Sequence, residues 1–572
     1  MIDPASELRQ SLLDRAYDGR LDRRRLLGWM MAAGIAGTVP AVELDRALAA
    51  GATQRNARAN LASTYDYVII GAGAAGCVIA AELTRAGAEV LLVEAGGTDD
   101  SPQVTTPNIW FTNLGGPRDW RFKASPSPHV NGREIPVAMG HVLGGGTSIN
   151  AMLWVRGLAA DYDDWAYNGC VGWGFDDVLP LFKQLEDWEG GANAWRGAGG
   201  PLHICTAKSP HPTASAFIDA SRQMGIPILD DLNGPMREGA GYVNMTIAPD
   251  GSRDSAARAF LRPVLGQGNL TLLLDTPATK LHISGTRCTG VQLMLDGAAR
   301  DIAARKEVIL CAGGIHSAKL LLLSGIGDPA QLKQLGIETK QALPGVGKNY
   351  QDHPLLFGVV YSYKGVMPPH ATANNVVEAA AFARSDKAKH LPDIKLVLMQ
   401  LPILSDRLRE IYGPQPADSF TICPALLRPT TTGTVRLKSA DWQDAPILSS
   451  GYLATDADLE ATVNCIEQCR ELGHQAGFDA VRERELVPAA KLGKAELRDF
   501  ARNAAISFGH PVGTCKMGTD EDAVVDPTLR VHGIEALRVC DSSVMPRIVT
   551  GPTAAASHLI GLKASTMILA SR

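Results

Sequence analysis

Six residues, Gly71-Ala72-Gly73-Ala74-Ala75-Gly76, have the types and spacing to hold a pyrophosphate. Gly71 permits a tight turn, Gly73 lets backbone approach a phosphate, and Gly76 allows a helix to pack closely on a strand. Ala74 and Ala75 open that helix, whose N-terminus offers free amides and partial positive charge. Glu94 follows Gly71 by 23 positions, where a carboxylate accepts hydrogen bonds from ribose hydroxyls. The elements needed to position these groups are present: a β-type apolar run Tyr65 to Ile70, a helix over Ala75 to Ala86, and a second strand over Glu89 to Val93. Together they predict one βαβ unit with a dinucleotide site. The unit by itself does not separate a flavin from a nicotinamide.

Four further segments make that distinction. The first is Gly140-His141-Val142-Leu143-Gly144-Gly145-Gly146-Thr147-Ser148-Ile149-Asn150, continuing through Trp154, Arg156, Gly157 and Asp161-Tyr162-Asp163. The second is Ala312-Gly313-Gly314-Ile315-His316-Ser317-Ala318-Lys319-Leu320-Leu321, ending in Leu323-Ser324-Gly325-Ile326-Gly327. The third runs from Pro344 to Asp352-His353. The fourth is Phe508-Gly509-His510-Pro511-Val512-Gly513-Thr514-Cys515-Lys516-Met517-Gly518, completed by Asp526, Pro527, Arg530, Val531 and Leu537 to Pro546.

On these segments the chain, from about residue 64 to 572, resembles the glucose-methanol-choline (GMC) oxidoreductases. The resemblance implies FAD as the dinucleotide. It implies flavin and diphosphate contacts from Gly144, Gly145, Thr147, Asn150 and the adjoining Ala151, an adenine contact near Ala278, and a flavin contact from Asp541. Some relatives attach FAD through a histidine; the matching position here is Ile149, so FAD is expected to bind non-covalently. The resemblance also assigns His510 as the base that deprotonates an alcohol facing the flavin, a task for which imidazole has a suitable intrinsic pKa.

The chain departs from the family pattern at His141, Gly314 and Ala318, and most of all at Pro552. Family members place a second histidine or asparagine there, whereas proline has no side-chain donor or acceptor. His558 and Thr553 are the nearby polar residues. The expected reaction is oxidation of an alcohol to an aldehyde or ketone, with electrons passed on to a quinone or to oxygen. The alternatives are a hydrogen-peroxide-forming oxidase, an FAD-containing lyase resembling the mandelonitrile lyases, and a flavin-binding protein without catalysis. No substrate is identified, although Met367 to Val377 and Asp393 to Leu404 are expected to shape its pocket.

These groups imply an α/β (α+β) fold: a Rossmann-like FAD-binding domain with an inserted substrate-binding domain of antiparallel sheet and helices. A chain of 572 residues is too long for one core, which favours two connected domains. The expected divisions are 1–45 as a leader, 62–163 and 236–354 as two parts of the FAD-binding domain, and 164–235 as a lid segment. Residues 355–500 form the substrate domain, and 501–572 the C-terminal FAD-binding and catalytic segment. Further strands are expected at Leu270 to Leu274, Gly290 to Leu295, Val308 to Cys311 and Thr434 to Leu437, with helices at Asp456 to Leu472 and Leu559 to Leu569.

A net charge of −5 gives no electrostatic reason for nucleic-acid binding. Ten cysteines lie scattered without zinc-ligand spacing, so neither a metal nor a disulfide framework is expected. Asp22-Arg23-Arg24-Arg25-Leu26-Leu27, followed by the apolar stretch Gly28 to Val39, is similar to a twin-arginine export signal. It predicts a periplasmic protein, the alternative being a cytoplasmic one. The apolar stretch is shorter than the roughly 20 residues of a membrane span, so no stable span is expected.

Overall fold

The computed structural model describes residues 4–33, 39, 41–235 and 238–571. Val68, Ile69 and Ile70 are all buried, as suits a strand covered on both faces. Strand Thr64–Ile70 lies between Val90–Val93 and Ala298–Leu310, parallel to both. Leu270–Leu273 and Leu537–Val539 extend the parallel part, and the hairpin Ala278–Ser284/Arg287–Leu295 adds an antiparallel edge, giving a mixed seven-stranded sheet.

The strand expected at Val308 to Cys311 runs over Ala298–Leu310. Ahead of Val308 it is largely exposed, with Arg300, Asp301, Arg305 and Lys306 facing solvent around buried Ile302 and Ala304, so no apolar run marks it in the sequence. The terminal helix likewise starts at Ala554, ahead of the expected Leu559, in a stretch of small residues. This helix crosses helix Ala74–Arg85 so closely that a β-carbon on Gly561 would lie 2.8 Å from the Ala75 Cα. The crossing ties the C-terminal segment to the dinucleotide helix.

The second sheet has eight strands, all paired antiparallel. Its centre is Ser419–Leu426 beside Ile394–Met399. Residue alternation divides the latter strand: Leu396 and Leu398 pack in the cluster containing Cys465 and Cys469 of helix Asp456–Gly473, while Val397 and Met399 face the opposite cluster. This is the substrate domain, but its borders cross the expected divisions. Gly239–Tyr242 supplies an edge strand from within 236–354, and Ala505–Ser507 pairs with Pro354–Leu356 from beyond residue 500. Phe122–Ser127, inside 62–163, pairs with Ile447–Ser449. Strand pairing is a long-range choice that composition along the chain does not reveal.

The folded unit also begins earlier than residue 62. Helices Pro4–Tyr17, Arg23–Ala32 and Ala41–Ala59 precede the first strand. Arg118 donates to both carboxylate oxygens of Asp14 at 2.8 and 2.7 Å. The Gln54 amide spans the edge strand, donating to the Leu272 carbonyl and accepting from the Leu274 N–H. Arg23, Arg24 and Arg25 are exposed. Residues 34–38 and 40 of the apolar stretch lie outside the described residues. Among those described, no helix is long and apolar enough to cross a membrane.

A buried ionic cluster holds the lid segment. Glu186 accepts hydrogen bonds from Trp154 Nε1 at 2.6 Å, Arg156 Nε at 2.8 Å and Arg196 Nε at 3.0 Å, and both arginines are buried. Glu186→Ala removes the carboxylate shared by two guanidinium groups, of which Arg196 keeps Asp231 and Arg156 keeps the Trp195 carbonyl. The expected cost is about 3–5 kcal/mol, measurable as a drop in the denaturant midpoint at unchanged slope.

Candidate active site

The two sheets enclose a cavity of about 1320 Å³, larger than the roughly 300–1,000 Å³ of a drug-sized ligand site. One end is built from glycine-rich backbone. Gly71, Gly73, Ala74, Ala75, Gly145 and Gly146 line it, and the two loops touch: a β-carbon on Gly145 would lie 2.8 Å from the Gly73 Cα. Helix Ala74–Arg85 has Gly73 as its N-cap with no side chain closing the end, so its first amides are free for an anion. A β-carbon on Gly73 or Gly146 would meet nothing within 4 Å.

Glu94 lines the same end. Its carboxylate accepts from the Ala72 and Gly96 amides at 2.9 and 2.8 Å. Burial pushes its carboxyl up to about 7 against the pull of those amides. Each oxygen keeps a lone pair for a ribose hydroxyl. Ala278 borders this region, and Asp541 accepts from the Gly313 N–H and the Ser317 hydroxyl at 2.9 and 2.6 Å. These features fit FAD: an open glycine cradle at a helix N-terminus for the diphosphate, with a carboxylate for the ribose.

The other expected residues divide. Ala151, Asn150 and Thr147 line the cavity. Thr147 donates to the Gly144 carbonyl, and Asn150 accepts from Met152 N–H and Arg253, so both shape the loop. Gly76 and Gly144, expected as cofactor contacts, lie behind the wall. A β-carbon on Gly76 would fall on the Gly71 carbonyl oxygen, and Gly144 donates its N–H to the Ala72 carbonyl at 2.8 Å. Their role is packing.

The opposite end holds His510, and the sheet explains its setting. Antiparallel pairing of Pro354–Leu356 with Ala505–Ser507 sets the residue before the first strand beside the loop that follows the second, so His353 meets His510 with Nδ1 to Nδ1 at 2.9 Å. Asp352 fixes the backbone there, accepting from His510 N–H at 2.9 Å and from the Tyr452 and Ser507 hydroxyls at 2.5 Å. His353 is the residue that sequence reading missed. It was visible as the last member of the third segment, but its partner stands 157 positions away.

Hydrogen-bond logic assigns the tautomers. His353 Nε2 lies 3.0 Å from the Leu427 carbonyl oxygen, which can only accept, so Nε2 carries the proton and Nδ1 a lone pair. His510 Nδ1 must then donate to it, leaving a bare Nε2 on a ring that borders the cavity. Burial pushes His353 down to about 3 and His510 well below its ordinary value, with His353 and Lys395 adding to the effect at His510.

Two consequences are testable. A base whose pKa is lowered stays neutral further into acid, so kcat/KM shows no falling limb at pH 6.5. His353→Ala removes the acceptor that holds the tautomer and lowers kcat by about 10²-fold. His353→Asn, which keeps an acceptor near that position, restores most of the loss, and the pH profile of both variants reports the change.

Pro552 lines the same cavity as His510 and brings no polar side chain to it. His558 is turned into the helix packing: its Nδ1 meets the Ala554 carbonyl at 2.7 Å and its ring lies against Trp154 and Phe260. Of the stretches expected to form the pocket, Val377, Val397, Met399, Ile403 and Leu404 do so, while residues 367–376 do not.

The chain matches the family models for GMC oxidoreductase over residues 65–355 and, for the C-terminal domain, 429–561. It is 38% identical to an oxygen-dependent choline dehydrogenase of Brucella ovis, over 88% of this chain and 95% of that protein. It is 37% identical to the mitochondrial choline dehydrogenase of Homo sapiens, over 88% and 89%. Among solved structures, pyridoxine 4-oxidase from Mesorbium loti superposes with a TM-score of 0.84 at 33% identity, covering 88% of this chain and 98% of that one. Glycine cradle, buried imidazole pair, family models and relatives agree, and this chain belongs to the GMC oxidoreductase family.

Proposed function

We propose that the protein oxidises an alcohol to the corresponding aldehyde or ketone with non-covalently bound FAD, His510 acting as the base. The observation that carries this reading is the bare Nε2 of His510 on the cavity wall, fixed in that tautomer by His353. FAD, when bound, supplies the acceptor for a hydride leaving the carbinol carbon. The hydroxyl proton passes to His510 Nε2 as the C–H electron pair leaves and the C=O bond forms. His510 keeps its Nδ1–H on neutral His353 throughout, so the imidazolium formed stays oriented. Pro552 offers no side-chain hydrogen bond, so in this reading His510 acts on the substrate hydroxyl as the base without help from that position.

Non-covalent binding is supported by Ile149, an aliphatic residue on the cavity wall at the position where some relatives carry a linking histidine. Acid precipitation should release all of the flavin into the supernatant. Quinone and oxygen remain the two candidate electron acceptors. Export through a twin-arginine route is supported by the exposure of Arg23, Arg24 and Arg25, and is tested by fractionating cells that express an Arg24→Lys, Arg25→Lys variant.

Pro552 also keeps a second reading in view, a lyase that holds FAD without reducing it. Anaerobic mixing with alcohols separates the two: an alcohol oxidase or dehydrogenase bleaches the flavin, more slowly when the carbinol carbon is deuterated. A flavin that stays oxidised with every alcohol sinks the oxidation reading.

A further inference from the structure

The cavity wall around His510 is apolar. Trp110, Leu355, Phe357, Val397, Met399 and Phe508 form it. The indole N–H of Trp110 is committed to the Asn375 carbonyl at 2.9 Å, so this residue presents only carbon. Phe508 spends one face on the His510 ring, with centroids 4.5 Å apart.

The carboxylates that border the cavity are engaged. Glu94 holds the Ala72 and Gly96 amides, Asp541 holds the Gly313 amide and the Ser317 hydroxyl, and Asp119 holds the Gly115, Arg121 and Met139 amides. Glu134 pairs with Lys123, and Asp406 and Glu410 pair with arginines on an exposed helix. Among the described residues, none of the acidic groups on the cavity wall is left to meet a cation beside His510.

The charge that does lie behind this wall is positive. Lys395 shares its strand and its face with Val397 and Met399, two and four residues on. Its amine is enclosed, has no hydrogen-bond partner among the described residues, and sits 5.2 Å from the Phe382 ring centroid. The strand pairing places it across Ala425 from Leu355, beneath the wall and on the His353 side. Desolvation lowers its pKa to about 7, so near neutrality part of the population carries an uncompensated charge there. Aromatic faces attract a cation when little else is present, but here they would have to do so beside this amine and without a counter-ion.

We infer that the substrate is an uncharged alcohol carrying an aromatic or branched aliphatic group, and that alcohols bearing a quaternary ammonium are rejected. This rests on the alcohol-oxidising reading above, and it separates this chain's pocket from the substrate named for its choline dehydrogenase relatives. Burying a fixed charge without a partner is strongly unfavourable, whereas an apolar group gains by leaving water.

The discriminating pair is choline and 3,3-dimethylbutan-1-ol, which share a shape and differ in charge. Stopped-flow bleaching of the FAD-loaded enzyme under anaerobic conditions gives a limiting rate and a Kd for each, with benzyl alcohol as a third substrate. The expected result is a Kd for the neutral isostere about 100-fold below that for choline, with benzyl alcohol also bleaching the flavin. Choline binding within about tenfold of its neutral isostere overturns the inference and leaves alcohol oxidation standing. No bleaching by any of the three overturns both.

Discussion

His510→Ala lowers kcat/KM for the best alcohol by about 10³-fold, within the 10²–10⁴ that a placed base contributes, while FAD remains bound. Among the described residues, the His510 imidazole is the ionisable side chain for which the structure prepares a bare nitrogen at the apolar end of the cavity. Removing it leaves the hydroxyl facing Phe508, Pro552 and the aliphatic wall. The variant then depends on substrate ionised in solution, so its residual rate climbs with pH where the wild-type profile is flat. Added imidazole should recover part of the loss. Cofactor binding is spared because the glycine cradle and Glu94 occupy the other end of the cavity. A variant that bleaches as fast as wild type ends the assignment of His510 as the base.

Gly73→Ala produces the opposite separation: an intact fold with weakened FAD. Gly73 has φ of −83°, a value any residue adopts, and its β-carbon would meet no atom within 4 Å. Without cofactor, alanine should leave thermal stability unchanged or raise it slightly, by about 0.4–1 kcal/mol through the unfolded chain. With cofactor, the methyl group occupies the space into which the diphosphate must come. Forced overpacking of that kind costs about 1–3 kcal/mol, or roughly 5- to 150-fold in Kd. Gly76→Ala is the contrast, because its β-carbon falls on the Gly71 carbonyl and should lower the stability of the apoprotein itself. Flavin-fluorescence titration and thermal melts of both apoproteins read the two effects separately. Unchanged FAD affinity in Gly73→Ala would place the diphosphate elsewhere.

The dinucleotide end was legible in the sequence because its parts are local. Gly71, Gly73 and Glu94 lie within one βαβ unit, where a turn, a helix N-terminus and the end of a neighbouring strand are set by backbone geometry over some two dozen residues. His510 was found through a motif, without the means to say which of its nitrogens is bare. The packing role of Gly76 was readable from the glycine spacing, whereas that of Gly144 became clear only when its N–H was placed on the Ala72 carbonyl.

What tertiary structure alone decided is the state of the base and the character of the substrate pocket. His353 orients His510 because the strands Pro354–Leu356 and Ala505–Ser507 pair. Lys395 lies under the pocket because strand alternation puts it on the same face as Val397 and Met399. The amino-acid order by itself determined a flavin-family cradle and a candidate base; which lone pair is exposed, and which charges stand near it, came from contacts between strands and loops far apart along the chain, His353 with Leu427 and His510 among them. Such contacts depend on sheet register, and register is chosen by the burial of whole faces rather than by any local run of residues.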